Sequence, residues 1–103
     1  METRSPKGRT HSVPIWVVVD GDAVFVRTYR GKTSRWYREL LATPGALVID
    51  GQRIRVRAVQ ENDREAIRRA SDGYRKKYAR SRASLEGMLR RSVLDTTLRL
   101  EPA

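Results

Sequence analysis

The stretch Val13-Pro14-Ile15-Trp16-Val17-Val18-Val19-Asp20-Gly21-Asp22-Ala23-Val24-Phe25-Val26-Arg27-Thr28-Tyr29-Arg30 decides the fold. Residues 13–19 are apolar on both faces and rich in β-branched side chains, which suits a strand inside a closed or covered sheet. Pro14 stands at its start, where a missing N–H is tolerated. Asp20-Gly21-Asp22 between two apolar runs signals a hairpin, because glycine takes the positive φ such turns need. The return strand is expected from Ala23 to Arg30. It puts Val24, Val26 and Thr28 on one face and Phe25, Arg27 and Tyr29 on the other.

Downstream, Gly31-Lys32-Thr33-Ser34 breaks the strand, with Thr33 or Ser34 as a helix N-cap. A helix from Arg35 to Thr43 places Trp36, Leu40 and Leu41 near one stripe, flanked by Tyr37, and Pro44-Gly45 ends it. A second hairpin follows: Ala46 to Ile49, a turn at Asp50-Gly51, then Arg53 to Val59. Alternation turns Ile54, Val56 and Ala58 inward and Arg53, Arg55 and Arg57 to solvent. Asn62-Asp63-Arg64-Glu65 approximates a capping box ahead of a helix reaching about Tyr78 or Arg80. Its apolar stripe is Ala66, Ile67, Ala70, Tyr74 and Tyr78. A shorter helical stretch within 81–92 turns Leu85, Met88 and Leu89 inward, and 94–100 alternates like a closing strand. Residues 1–12 read as a flexible arm or a frayed opening strand ahead of one domain over 13–103. The expected fold is α+β: a small antiparallel barrel with two or three flanking helices.

A chain of 103 residues supports one domain and one core. The absence of cysteine excludes disulfides, thiolate metal sites and a thiol nucleophile. A cytoplasmic location fits that usage. No apolar run approaches the roughly 20 residues of a membrane span, and no signal peptide is expected at the N-terminus. Lys and Arg total 22 against 12 Asp and Glu, a formal charge of +10. Such a field attracts anions: nucleic acid, an anionic membrane surface, or a phosphorylated or polycarboxylate cofactor. The plainer account is arginine used as a solubilising residue along the whole chain.

His11 is the only histidine, and no residues have metal-ligand spacing, so no metal is expected. A hydrolytic triad would need His11 as its base, in a poorly positioned segment. Gly31-Lys32-Thr33 resembles the end of a phosphate-binding loop, but Arg27 stands where the first glycine belongs. The segment from Arg27 to Tyr37 instead mixes cations, hydroxyls and aromatics between a strand end and a helix start. That combination makes an anion site, and Trp36 and Tyr37 would cover a flat ring. The bland reading is a basic connection with Trp36 in the core.

The segment Thr10 to Asp22 resembles the opening hairpin of the pyridoxamine-phosphate-oxidase-like split barrels. Val26-Arg27-Thr28-Tyr29-Arg30-Gly31 and Arg35-Trp36-Tyr37-Arg38 resemble the deazaflavin-dependent nitroreductase branch. With Gly73-Tyr74-Arg75-Lys76-Lys77-Tyr78 and Thr96-Thr97-Leu98-Arg99-Leu100-Glu101-Pro102, the order resembles a small bacterial family of unknown function within that superfamily. The phosphate-loop pattern of the relatives is reduced here to Pro6-Lys7-Gly8-Arg9, and their N-terminal helix is absent. The resemblance implies an antiparallel split β-barrel binding FMN or a deazaflavin, whose ring carries the hydride of an oxidoreductase. It implies cofactor contacts from Thr28, Arg30, Lys32, Trp36, Tyr37 and Trp16, with Tyr74 and Tyr78 as a lid or substrate contact. The substrate and homodimer formation stay open. A small basic barrel that binds nucleic acid through Arg53, Arg55 and Arg57 and the helix cations Arg68, Arg69, Arg75, Lys76 and Lys77 is the competing expectation, as is a barrel that has lost its cofactor.

Overall fold

A computed structural model describes residues 1–103. The chain forms one seven-stranded antiparallel sheet curled into a half-barrel, with helices packed on it, so the fold is α+β. The strands are β1 (Glu2–Arg4), β2 (Thr10–Ser12), β3 (Val17–Asp20), β4 (Ala23–Val26), β5 (Gly45–Ile49), β6 (Gln52–Gln60) and β7 (Leu98–Pro102). The helices are α1 (Arg35–Ala42), α2 (Arg64–Lys77) and α3 (Arg82–Leu89), and a 3₁₀ segment spans Arg91–Thr96. Strand order across the sheet is β2-β1-β5-β6-β7-β4-β3.

Both hairpins form where the Asp-Gly turns stand. Val17 pairs with Val26 and Asp20 with Ala23 across the first; Ile49 pairs with Gln52 across the second. Gly21 and Gly51 take positive φ in these turns, as the tight reversal demands. The C-terminal strand β7 lies between β6 and β4 and joins the two hairpins into one sheet.

Four boundaries differ from expectation, each for a local reason. The first long strand begins at Val17, not Val13. Pro14 has no N–H to give, the Val13 N–H donates to the Met1 carbonyl at 3.0 Å, and the Trp16 carbonyl accepts the Tyr74 hydroxyl at 3.0 Å. Its partner ends at Val26, not Arg30: the chain turns, with the Gly31 N–H donating to the Thr28 carbonyl. The closing strand starts at Leu98, because the Thr96 and Thr97 hydroxyls donate to the Val93 and Leu94 carbonyls and hold the 3₁₀ turn. The N-cap of α2 is Asp63, whose carboxylate accepts the Glu65 N–H. Residues 1–12 supply the β1–β2 hairpin, and Glu2 of β1 pairs with Ala46 of β5.

Apolar packing occupies both faces of the sheet. The concave side encloses Val26, Tyr37, Leu40, Leu47, Val56, Leu98 and Leu100, with α1 as its plug. The opposite face, at the β3–β4 end, buries Val18 and Phe25 under Ala66, Ala70 and Tyr74 of α2 and Leu85 and Met88 of α3. Arg53, Arg55 and Arg57 face solvent and Val56 is buried, as alternation required. Ile54 is a correction: it is 46% exposed, because it lies beside the β5–β6 turn, outside the cluster α1 covers.

Candidate functional site

The chain between β4 and α1 descends through two linked turns. The Gly31 N–H donates to the Thr28 carbonyl, and the Ser34 N–H donates to the Gly31 carbonyl. This descent, the irregular run 13–16 and one face of α3 enclose a cleft of about 1030 Å³. Its volume matches the upper range of small-molecule sites.

Trp16 and Trp36 both contribute to the cleft wall. The ring of Tyr78 backs Trp16, with centroids 3.9 Å apart and planes within 6°. The Tyr78 hydroxyl lies 3.1 Å from both the N–H and the carbonyl of Val17, and Lys77 Nζ donates to the same carbonyl at 2.8 Å. These side chains therefore fix the segment that carries Trp16. Trp36 is half-buried and meets Tyr37 edge to face at 6.4 Å.

Arg27, Arg30, Arg35 and Arg90 line the cleft, and no Asp or Glu does. Arg27 is 0% exposed. Its Nε donates to Thr97 Oγ1 at 2.8 Å, one terminal nitrogen to the Met88 carbonyl at 3.1 Å, and the other to the Ile67 carbonyl at 2.8 Å. The guanidinium also lies 5.3 Å from the Tyr74 ring centroid. All these partners are uncharged. Burial lowers the Arg27 pKa, and Tyr74 opposes that shift in part. Burial likewise pushes the Tyr74 phenol well above its usual range, with Arg27 opposing. Arg35 has one carboxylate at the limit of contact, Glu39 at 4.0 Å.

Of the sequence-predicted residues, Trp16, Thr28, Arg30 and Trp36 meet at this cleft. Lys32 turns away from it to Asp95, 3.1 Å distant. Tyr37 is 2% exposed in the concave core, and its hydroxyl accepts from Gln60 Nε2 at 3.3 Å. Tyr74 is fully buried and Tyr78 stands behind Trp16, so neither closes over the cleft. Ala83, Ser84, Gly87 and Met88 of α3 form that wall instead. Sequence reasoning held Arg27 and Ser34 within the segment read as an anion site without singling them out as contacts, and passed over Arg90. The available signal was Arg27 itself, a charge on the Phe25 face of an otherwise apolar strand.

No group of three or more metal-ligating His, Asp or Glu side chains comes together, and no helix is long and apolar enough to cross a membrane.

The chain is a small α+β half-barrel with a basic, aromatic-walled cleft. The chain belongs to the bacterial family described as "Uncharacterized protein conserved in bacteria (DUF2255)", which matches it over residues 2–100. No curated protein and no solved structure matches it.

Proposed function

We propose that the chain binds a flavin or deazaflavin in this cleft and acts as an oxidoreductase of the split-barrel type. The observation that carries the reading is the Tyr78-backed indole of Trp16 in the wall of a cleft shared with Trp36, Thr28 and Arg30. The donor set fits such a group. Trp16 and Trp36 present aromatic surface to a flat ring, the Thr28 and Ser84 side chains offer hydroxyls to its polar edge, and Arg30 and Arg90 attract its anionic part. Once bound, the cofactor supplies hydride chemistry, which is why no catalytic constellation of side chains is required. The protein's own residues position the ring, and Met88 with its helix shields one side from water. The basic row favours this reading over nucleic-acid binding. Arg53 is paired with Glu2 at 2.8 Å and Arg57 with Glu101 at 3.3 Å, so two of the three cations are engaged.

The test is titration of purified protein with FMN or a deazaflavin, followed by tryptophan fluorescence and cofactor absorbance. Quenching is expected, and Trp16→Phe and Trp36→Phe should each remove part of it. Arg30→Ala should weaken binding by about 1.5–3 kcal/mol, the scale of a hydrogen bond to a charged group. Unchanged fluorescence and absorbance at millimolar cofactor would reject the reading.

A further inference from the structure

Helix α1 begins at the cleft. Ser34 is the N-cap, yet its hydroxyl makes no capping hydrogen bond. That hydroxyl belongs to a residue only 9% exposed that lines the cleft. The first intrahelical donor is the Arg38 N–H, to the Ser34 carbonyl, so the N–H groups of Arg35 and Trp36 have no partner within the helix. No acidic residue occupies the first turn. A helix start with free donors and a positive dipole end favours an anion.

Arg27 is an independent observation with the same sign. A buried charge is normally paired with an opposite one, and Arg27 has only neutral partners. All three of its guanidinium nitrogens are hydrogen-bonded, to Thr97, Met88 and Ile67, and none of these bonds goes to a carboxylate. The missing negative charge is absent from the whole cleft lining.

We propose that the cleft is an oxyanion receptor. A phosphate or carboxylate group of the ligand seats at the start of α1, against the Ser34 hydroxyl and the N–H groups of Arg35 and Trp36. The buried charge of Arg27 supplies the field behind it. This rests on the cleft being the ligand site and assigns where the anionic part of the ligand lies.

The experiment uses inorganic phosphate as the probe, with acetate as the carboxylate arm and chloride at matched ionic strength as the control. Thermal unfolding and calorimetric titration are the readouts. Phosphate should raise the Tm saturably beyond chloride. A stronger response to acetate than to phosphate would identify a carboxylate as the preferred group; a weaker one would identify phosphate. Arg27 is too deeply bonded for a clean variant, so the test turns on Ser34. Ser34→Ala should weaken phosphate binding about tenfold, the loss of one hydrogen bond to a charged group. Ser34→Asp provides a favoured N-cap and the missing negative charge. It should raise the Tm without phosphate and abolish the phosphate response. Oxyanions no more stabilising than chloride, or Ser34→Asp protein that binds phosphate as tightly as the unmodified chain, would overturn the proposal. If phosphate binds and no flavin does, the receptor stands and the cofactor reading falls. If FMN binds equally well to Ser34→Asp, the cofactor reading stands and the receptor falls.

Discussion

The ring of Tyr78, at the C-terminal end of α2, lies flat on the indole of Trp16, with centroids 3.9 Å apart. The same tyrosine hydroxyl satisfies backbone groups of Val17, so one side chain both supports the cleft wall and closes the exposed margin of β3. The two roles separate by substitution. Tyr78→Phe keeps the stack and loses the hydroxyl, and should cost about 1 kcal/mol in urea unfolding. Tyr78→Ala removes both and should cost about 2–3 kcal/mol, with weaker quenching by any ring that binds against Trp16.

Glu39 of α1 ties the N-terminal hairpin to the helix. Its carboxylate accepts the Thr3 hydroxyl at 2.8 Å and lies 3.2 Å from His11 Nδ1. Burial opposes its ionisation, but Thr3, His11 and Arg35 outweigh that effect and hold its pKa below the ordinary 4.5. A carboxylate whose folded pKa is depressed stabilises the fold above its unfolded pKa, and that contribution fades as pH falls through the folded value. Glu39→Gln should therefore cost about 1–2 kcal/mol at pH 7 and progressively less as the pH drops below 4.5. Urea unfolding at pH 7 and pH 3 measures the difference; an equal cost at both would show that the charge is not what matters.

Gly45 opens β5 where β1 passes closest. A Cβ there would strike the Glu2 carbonyl oxygen and approach Leu40 Cδ1 to 3.0 Å. Backbone cannot move aside as a flexible side chain can. Gly45→Ala should destabilise the protein by about 1–3 kcal/mol, the usual cost of overpacking. The loss should be concentrated in the N-terminal hairpin, so hydrogen exchange at Thr3 should accelerate more than at Val56 in the sheet interior.

What the sequence disclosed follows from the range over which each signal acts. The two Asp-Gly turns, the three helices and the outward row Arg53, Arg55 and Arg57 are local, and local chemistry fixed them. Ile54 has the same alternation as Val56, but its exposure depends on how far α1 reaches, which no period encodes. The cleft was half legible. Thr28, Arg30 and Trp36 cluster in the chain, and Trp16 joins them by the fold. Lys32 and Tyr37 share that stretch yet leave the cleft, because Asp95 and Gln60, far along the chain, bind them. Arg27 could not be recognised as buried until α2, α3 and Thr97 were seen to converge on it.

The placement of β7 governs how the molecule comes into being. Each hairpin can form from neighbouring residues, but the strand that unites them comes after every helix and pairs with β4 more than 70 residues upstream in the Val24–Leu100 register. A chain elongating from its N-terminus thus holds two incomplete half-sheets with open seams until Leu98 to Pro102 arrive. Closing such distant contacts is slow because loop entropy must be overcome first. The molecule is most vulnerable to clumping in that interval, when Val26 and Val56 lack the neighbours that bury them and both seams can pair with another chain.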